Sequence, residues 1–190
     1  FDEALCEQGR NFGNKIWNAY RLISMWQVDD NMEQSENNRL AVEWFSHTLS
    51  KAIGEINDMF SSYRISEAFM RIYKLFWDDF SGWYLEIVKP AYQQPADKTT
   101  MEATRHYFDL LMRLVHPFMP FVTEEIWQDL APRAEGESIM YAPMPKADEV
   151  NEALLARFAL ATEVITGFDP QRNRGRKLPQ RVCSRHRQDV

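Results

Sequence analysis

Glycine, cysteine and long apolar runs are all scarce in this 190-residue chain, and each scarcity removes a class of protein. Seven glycines leave no Gly-rich loop for phosphate, and no stretch sustains the period-two alternation of half-buried strands. Two cysteines, Cys6 and Cys183, are too few and too far apart for a disulfide scaffold or a Cys-rich zinc site, so a reducing compartment is expected. No apolar run approaches the roughly 18–20 residues of a membrane span. The chain opens at Phe1 with no basic-plus-apolar leader, and reads as a cytoplasmic piece of something longer. HExxH and GxSxG are also absent. The four histidines (His47, His106, His116, His186) are scattered, with none four residues from another. The expectation is no catalytic residue and no metal.

What the chain does have is aromatic surface. Twelve Phe, seven Tyr and six Trp, each able to bury about 150–250 Å², exclude disorder of the whole chain. The net charge of −6 conceals a division. Residues 171–190 hold seven cations against Asp189 alone, a net of +6, leaving 15 cations and 27 anions, a net of −12, in residues 1–170. A body so acidic is a poor general phosphate binder, because nonspecific nucleic-acid affinity comes from cations displacing counterions. Any nucleic-acid contact there must be local.

The hydrophobic period is helical throughout. One stripe runs Phe12, Ile16, Ala19, Ile23, closed by Trp26. A second runs Leu40, Trp44, Phe45, Leu49, Ile53, Ile56, Met59, Phe60. The clearest runs Phe69, Ile72, Tyr73, Phe76, Phe80, Trp83, Tyr84, Ile87, opened by Ser66–Glu67 and stopped by Pro90. A fourth, after Thr99–Thr100, runs Tyr107, Leu110, Leu111, Leu114, Val115 and meets a breaker at His116–Pro117. Thr123 reads as the cap of a short helix through Trp127 and Leu130, with Glu124 and Glu125 beside its positive dipole end. Residues 131–148, holding Pro132, Gly136, Pro143 and Pro145, read as an irregular connection, and residues 149–166 as the start of a following helix. Short links such as 61–65 favour antiparallel neighbours. The expected fold is all-α: an antiparallel helical bundle over 1–130, a short extra helix and an irregular C-terminal tail. Asp78–Asp79 reads as a solvated helix face, and Trp83, Tyr84 and Trp127 as core. His116 is expected to hold the bend before Pro117 by a hydrogen bond.

The first helix is less ordinary. Asn11, Asn14, Lys15 and Asn18 recur at i, i+3, i+4, i+7 and share a face that Arg21 and Leu22 extend by a turn. Asparagine is a mediocre helix former, because its side chain competes for backbone hydrogen bonds, so something other than propensity accounts for the row. Amide donors and acceptors, a cation, and the rings of Trp17 and Tyr20 are the groups that read unpaired nucleobases. The alternative is that these amides bridge helices inside the bundle.

The run GRNFGNKIWNAYRL at 9–22 resembles the start of the anticodon-binding domain of class I aminoacyl-tRNA synthetases, and of the valyl type in particular. FWDDFSGWYLEIVKP at 76–90, LVHPFMPFVTEEIWQ at 114–128 and IMYAPMP at 139–145 agree in order and spacing, the last two blocks being shared with isoleucyl- and leucyl-type relatives. The resemblance covers about residues 1–167. It implies a module that grips the anticodon stem-loop of tRNA(Val) and works with the catalytic domain of the same parent chain, with no membrane role. ATP and Mg would belong to that catalytic domain, whose HIGH-like and KMSKS-like motifs are missing here, so the piece is not expected to aminoacylate.

Carried over by residue, the resemblance implies that Lys15 approaches anticodon bases. Leu22 offers apolar packing where relatives carry Phe, and Ser81 and Leu85 occupy loop-facing positions on the long helix. Arg10, Asn14 and Arg21 are further tRNA-binding candidates. An isoleucyl- or leucyl-type module and a helical protein-interaction bundle without an RNA role remain alternatives. The tail GFDPQRNRGRKLPQRVCSRHRQDV departs from the family pattern. It reads either as a basic arm for RNA phosphate or as non-native, disordered sequence from about Gly167, introduced by a frame change.

Overall fold

The computed structural model describes residues 3–168. Helix α1 (Glu3–Ser24) is followed by a two-residue strand, β1 (Val28–Asp29), and by α2 (Glu36–Ser61). One long helical run then comprises α3 (Ile65–Lys74), a π-helical segment (Leu75–Tyr84) and α4 (Leu85–Val88). Strand β2 (Ala96–Asp97), α5 (Lys98–Val115), α6 (Pro120–Leu130), a 3₁₀ turn (Ile139–Tyr141) and α7 (Glu152–Phe168) complete the order. The all-α bundle expected from periodicity is what forms. The short β1–β2 pair leaves no mark in the sequence, because two residues carry no alternation.

Ring contacts fix the helix directions. Phe12 meets Tyr73 at 5.0 Å and Phe76 at 5.7 Å, and Lys15 meets Trp77, so α1 and the long run point the same way. Phe45 meets Tyr84 at 4.9 Å while Glu55 pairs with Arg71 at 2.6 Å, so α2 runs against them. Helix α5 also runs against the long run, through Tyr84–Thr104 and Phe76–Phe108. Buried Phe12, Phe45, Phe76, Phe80, Tyr84 and Phe108 form the centre of this up-down-up-down arrangement. Their edge-to-face and tilted packing adds to simple area burial.

Several boundaries differ from expectation for identifiable reasons. Helix α1 stops at Ser24, short of Trp26. Arg64, not Ser66, occupies the N-cap position of α3 and pairs with Glu67 at 3.1 Å. Asp97 caps α5 by accepting from the Thr100 N–H at 2.7 Å, a stronger anchor than Thr99 or Thr100 could supply. Helix α6 begins at Pro120, whose fixed φ suits the first turn. Thr123 therefore lies inside that turn, buried, with its hydroxyl donating to the Met119 carbonyl at 2.9 Å. Leu40 is exposed rather than core.

The largest departure lies in the long run. In the π-helical segment each turn closes i to i+5, as where the Leu85 N–H donates to the Phe80 carbonyl, so a turn holds about one residue more than the α value of roughly 3.6. The core face therefore moves along the sequence, to Phe80, Ser81, Tyr84, Leu85 and Val88, and leaves Trp83 and Ile87 half-buried. Tyr84 gains a bond in the interior, donating to the Thr104 hydroxyl at 2.8 Å. Asp79 also turns inward. It is half-buried, 3.8 Å from Arg71, and burial pushes its carboxyl up to about 6. The solvated-face reading thus holds for Asp78 only.

The connection after α6 is irregular apart from its 3₁₀ turn, and it is laced back onto α2. The Ser50 hydroxyl donates to the Asp148 carbonyl at 2.7 Å, and Asn57 Nδ2 donates to the Pro145 carbonyl at 3.2 Å. The chain divides into two compact units between Asn151 and Glu152, so this connection belongs with the bundle. Helix α7, in the second unit, exposes Leu160, Val164 and Ile165. The tail reading falls almost wholly on 169–190, outside the described residues.

Candidate nucleic-acid interface

Helix α1 holds two glycines and three asparagines within ten positions, and its stability comes from burial. Phe12, Ile16, Ala19, Tyr20 and Ile23 are all inside. Gly13 faces the turn before α6, where a Cβ would stand 3.1 Å from Met119 Cε, so the helix can approach closely there. That anchoring leaves the opposite face open. Asn11, Asn14 and Asn18 are exposed, and their side chains make no hydrogen bond among the described residues. The helix-bridging alternative is thereby set aside.

Lys15 borders this row. It is half-buried, with Nζ 5.3 Å from the centre of the Trp77 ring. Arg10 is exposed and pairs with Glu7 one turn away at 3.2 Å. Arg21 is exposed in the last turn of α1, and Leu22 is 40% exposed beside it. Trp17 is also 40% exposed. Tyr20 is not available for stacking: it is buried, and its hydroxyl donates to Asp129. Burial and that carboxylate hold the Tyr20 hydroxyl protonated beyond its ordinary range.

Ser81 and Leu85 lie elsewhere. Both were expected to face the RNA loop, and the wide π turns instead bring them inward, to 7% and 3% exposure. The structure therefore joins Lys15, Asn14, Arg21 and Leu22 on one helix but does not bring Ser81 and Leu85 to that surface. The Ser81 hydroxyl is nonetheless unusual, being buried with no hydrogen-bond partner in the described structure. Such a group costs about 1–3 kcal/mol while it stays unsatisfied. Trp77, which meets Lys15, is half-buried and carries no separate signal in the sequence.

Several other polar groups brace the fold. His116 Nδ1 donates to the Thr123 hydroxyl at 2.8 Å, fixing the bend before Pro117 as expected. Trp127 is buried, its indole N–H donating to Asp109 at 2.6 Å. Burial alone would raise Glu124, but bonds from Gln128, Ser138 and the Ile139 N–H outweigh it and hold the carboxyl below its usual range. Among the described residues no group of His, Cys, Asp and Glu could hold a metal ion, and no helix is long and apolar enough to cross a membrane.

Helix α1 thus displays amides and cations together on the surface of an all-α bundle. The family model for the anticodon-binding domain of tRNA ligase matches residues 42–180, and the chain belongs to that family. It is 59% identical to the valine–tRNA ligase of Parabacteroides distasonis over 167 residues, which is 88% of this chain and 19% of that protein. Identity to the valine–tRNA ligase of Phocaeicola vulgatus is 55% over 168 residues, with the same shares. For Porphyromonas gingivalis it is 51% over 179 residues, 94% of this chain and 20% of the relative. The chain thus spans about a fifth of the length of the curated relatives it matches. Ser81 and Leu85 fall inside the segment matched by the family model; α1 precedes it. The match also runs past Gly167, into the tail.

Proposed function

We propose that the chain is the anticodon-recognition module of a valine–tRNA ligase, gripping the anticodon stem-loop of tRNA(Val) while a catalytic domain elsewhere in the longer protein attaches valine. The supporting observation is the row of exposed, unbonded amides at Asn11, Asn14 and Asn18 beside Lys15. Amides kept in water on a helix they do not favour gain their return from a partner. The valine–tRNA ligase relatives favour tRNA as that partner. ATP and Mg belong to the catalytic domain of such a ligase, and the module works in the cytoplasm.

Recognition is local, because the acidic body supplies no attractive field for phosphate. Lys15 and Arg21 serve as point contacts, the Asn row supplies donors and acceptors to base edges, and Leu22 supplies apolar contact. Ser81, with its unsatisfied hydroxyl, joins the interface only if the long helix opens. The test is a low-salt titration of the chain with the valine-tRNA anticodon stem-loop, beside a variant changed at the middle anticodon base. Tighter binding of the true anticodon is expected. Equal affinity would reduce the role to a grip on shape and phosphate, and no binding to either would sink recognition by this module alone.

A further inference from the structure

The end of the bundle where α1 and the long run finish, and where α2 and α5 begin, is closed by a strap. Val28 pairs in parallel with Ala96 and Asp29 with Asp97, and the Ala96 N–H donates to the Gln27 carbonyl at 2.7 Å. Asp97, only 1% exposed, caps α5 and accepts from Asn38 Nδ2 at 3.1 Å. Gln34 Nε2 donates to the Thr100 hydroxyl at 3.0 Å, and Lys98 pairs with Asp30 at 3.3 Å. Between Val88 and this strap the chain makes one tight turn, in which the Gln94 N–H donates to the Ala91 carbonyl at 2.9 Å.

Gln93 sits in that turn at φ +62°. A left-handed residue at the third position is the geometry of a type II turn, which favours glycine, so glutamine there is strained. Tyr63 is the other non-glycine residue with positive φ among the described residues, at 57°. It ends α2 with the Arg64 N–H donating to the Met59 carbonyl and its own N–H to the Phe60 carbonyl, so helix termination accounts for it. No helix end accounts for Gln93. What its turn does is hold Tyr92, at the leading corner, 89% exposed. Tyr92 stands at the same end of the bundle as Arg21, Leu22 and the 75%-exposed Met25.

We propose that Tyr92 is a second nucleobase contact, its ring stacking on an unpaired base of an RNA loop whose other side is held by α1. The inference rests on the RNA reading above. Stacking suits an acidic module, since it draws on the face of a base rather than on phosphate charge and tolerates any base. The strap orders the turn before RNA arrives, which lowers the entropic cost of presenting the ring. Presenting Tyr92 gives the strained backbone at Gln93 a function on an otherwise exposed connection.

The test uses the full chain and an RNA hairpin bearing a valine anticodon, with 2-aminopurine placed at each loop position in turn. Tyr92→Ala should raise Kd roughly five- to a hundredfold, the range of a lost base–aromatic stack, and abolish the fluorescence quench at one loop position. Tyr92→Phe should keep both. Melting temperatures should be unchanged, since the ring is outside the core. Normal binding by Tyr92→Ala alongside weakened binding by Lys15→Ala overturns this proposal and leaves the RNA reading standing. Loss by Tyr92→Phe equal to that of Tyr92→Ala overturns stacking in favour of a hydroxyl contact. A wild-type chain that binds no hairpin removes both readings.

Discussion

The ammonium of Lys15 is clasped against the Trp77 ring, 5.3 Å from its centre, so a cation of the first helix is positioned by the long one. At a partly exposed site such a contact contributes about 0.5–1 kcal/mol, enough to favour one direction for a flexible side chain. Lys15→Ala should weaken hairpin binding by on the order of 1–3 kcal/mol if the ammonium meets a base. Trp77→Leu keeps the charge but frees it, so its loss should be smaller. Fluorescence titration with a melting curve on each variant checks both, and unchanged affinity of a folded Lys15→Ala removes Lys15 from the interface.

The asparagine row gives an outcome with opposite signs in two measurements. Alanine is the better helix former by up to about 0.7 kcal/mol per residue, and the three amides bond to nothing among the described residues. The triple variant Asn11→Ala, Asn14→Ala, Asn18→Ala should melt at or above the parent temperature while binding RNA more weakly. A lower melting temperature would show that the amides hold helices together after all.

Core burial separates two aromatic residues that the periodic stripe treats alike. Phe76 is fully buried, and Phe76→Ala should cost about 3–5 kcal/mol of stability. Trp83 is half-buried because the π turns carry the core face past it, and Trp83→Ala should cost under about 2 kcal/mol. Urea denaturation of the pair checks the difference. Equal losses would restore the unshifted stripe.

That contrast also marks what the sequence could convey. Aromatic and aliphatic spacing announced the long helices, because a repeat of three and four persists through Phe12, Phe45, Phe76 and Phe108 whatever surrounds them. The wide turns are illegible in the sequence: one additional residue per turn alters neither composition nor spacing until Phe80, and only the structure shows Ser81 and Leu85 turned inward. Asn14 and Lys15 were legible as a face but not as an exposed one, since an amide row looks the same whether it joins two helices or meets water. Tyr92 gave no signal, because its importance lies in a backbone angle at the next residue.

Asp79 makes stability depend on pH with an unusual sign. Burial raises its carboxyl from the ordinary 3.8 to about 6, against the opposing pull of Arg71. Between those values the folded chain binds a proton that the unfolded chain has released, so this group's contribution is present below about pH 4 and is lost as pH rises through 6. Asp79→Asn cannot ionise. The melting temperature of Asp79→Asn minus that of the parent should therefore increase from pH 4.5 to pH 7.5. A difference that is flat or falling would place the carboxylate in a favourable pair instead.

The strap has a consequence in time. Its bonds join residues far apart in the chain, Gln34 with Thr100 across 66 positions and Asn38 with Asp97 across 59. Helical turns form from neighbours within about a microsecond, whereas contacts at such separation wait for the chain between them to be arranged. The β1–β2 end is accordingly completed only once α2 and α5 are both in place. A nascent chain therefore fixes the turn bearing Tyr92 only after Asp97 and Thr100, which lie beyond it, have been made.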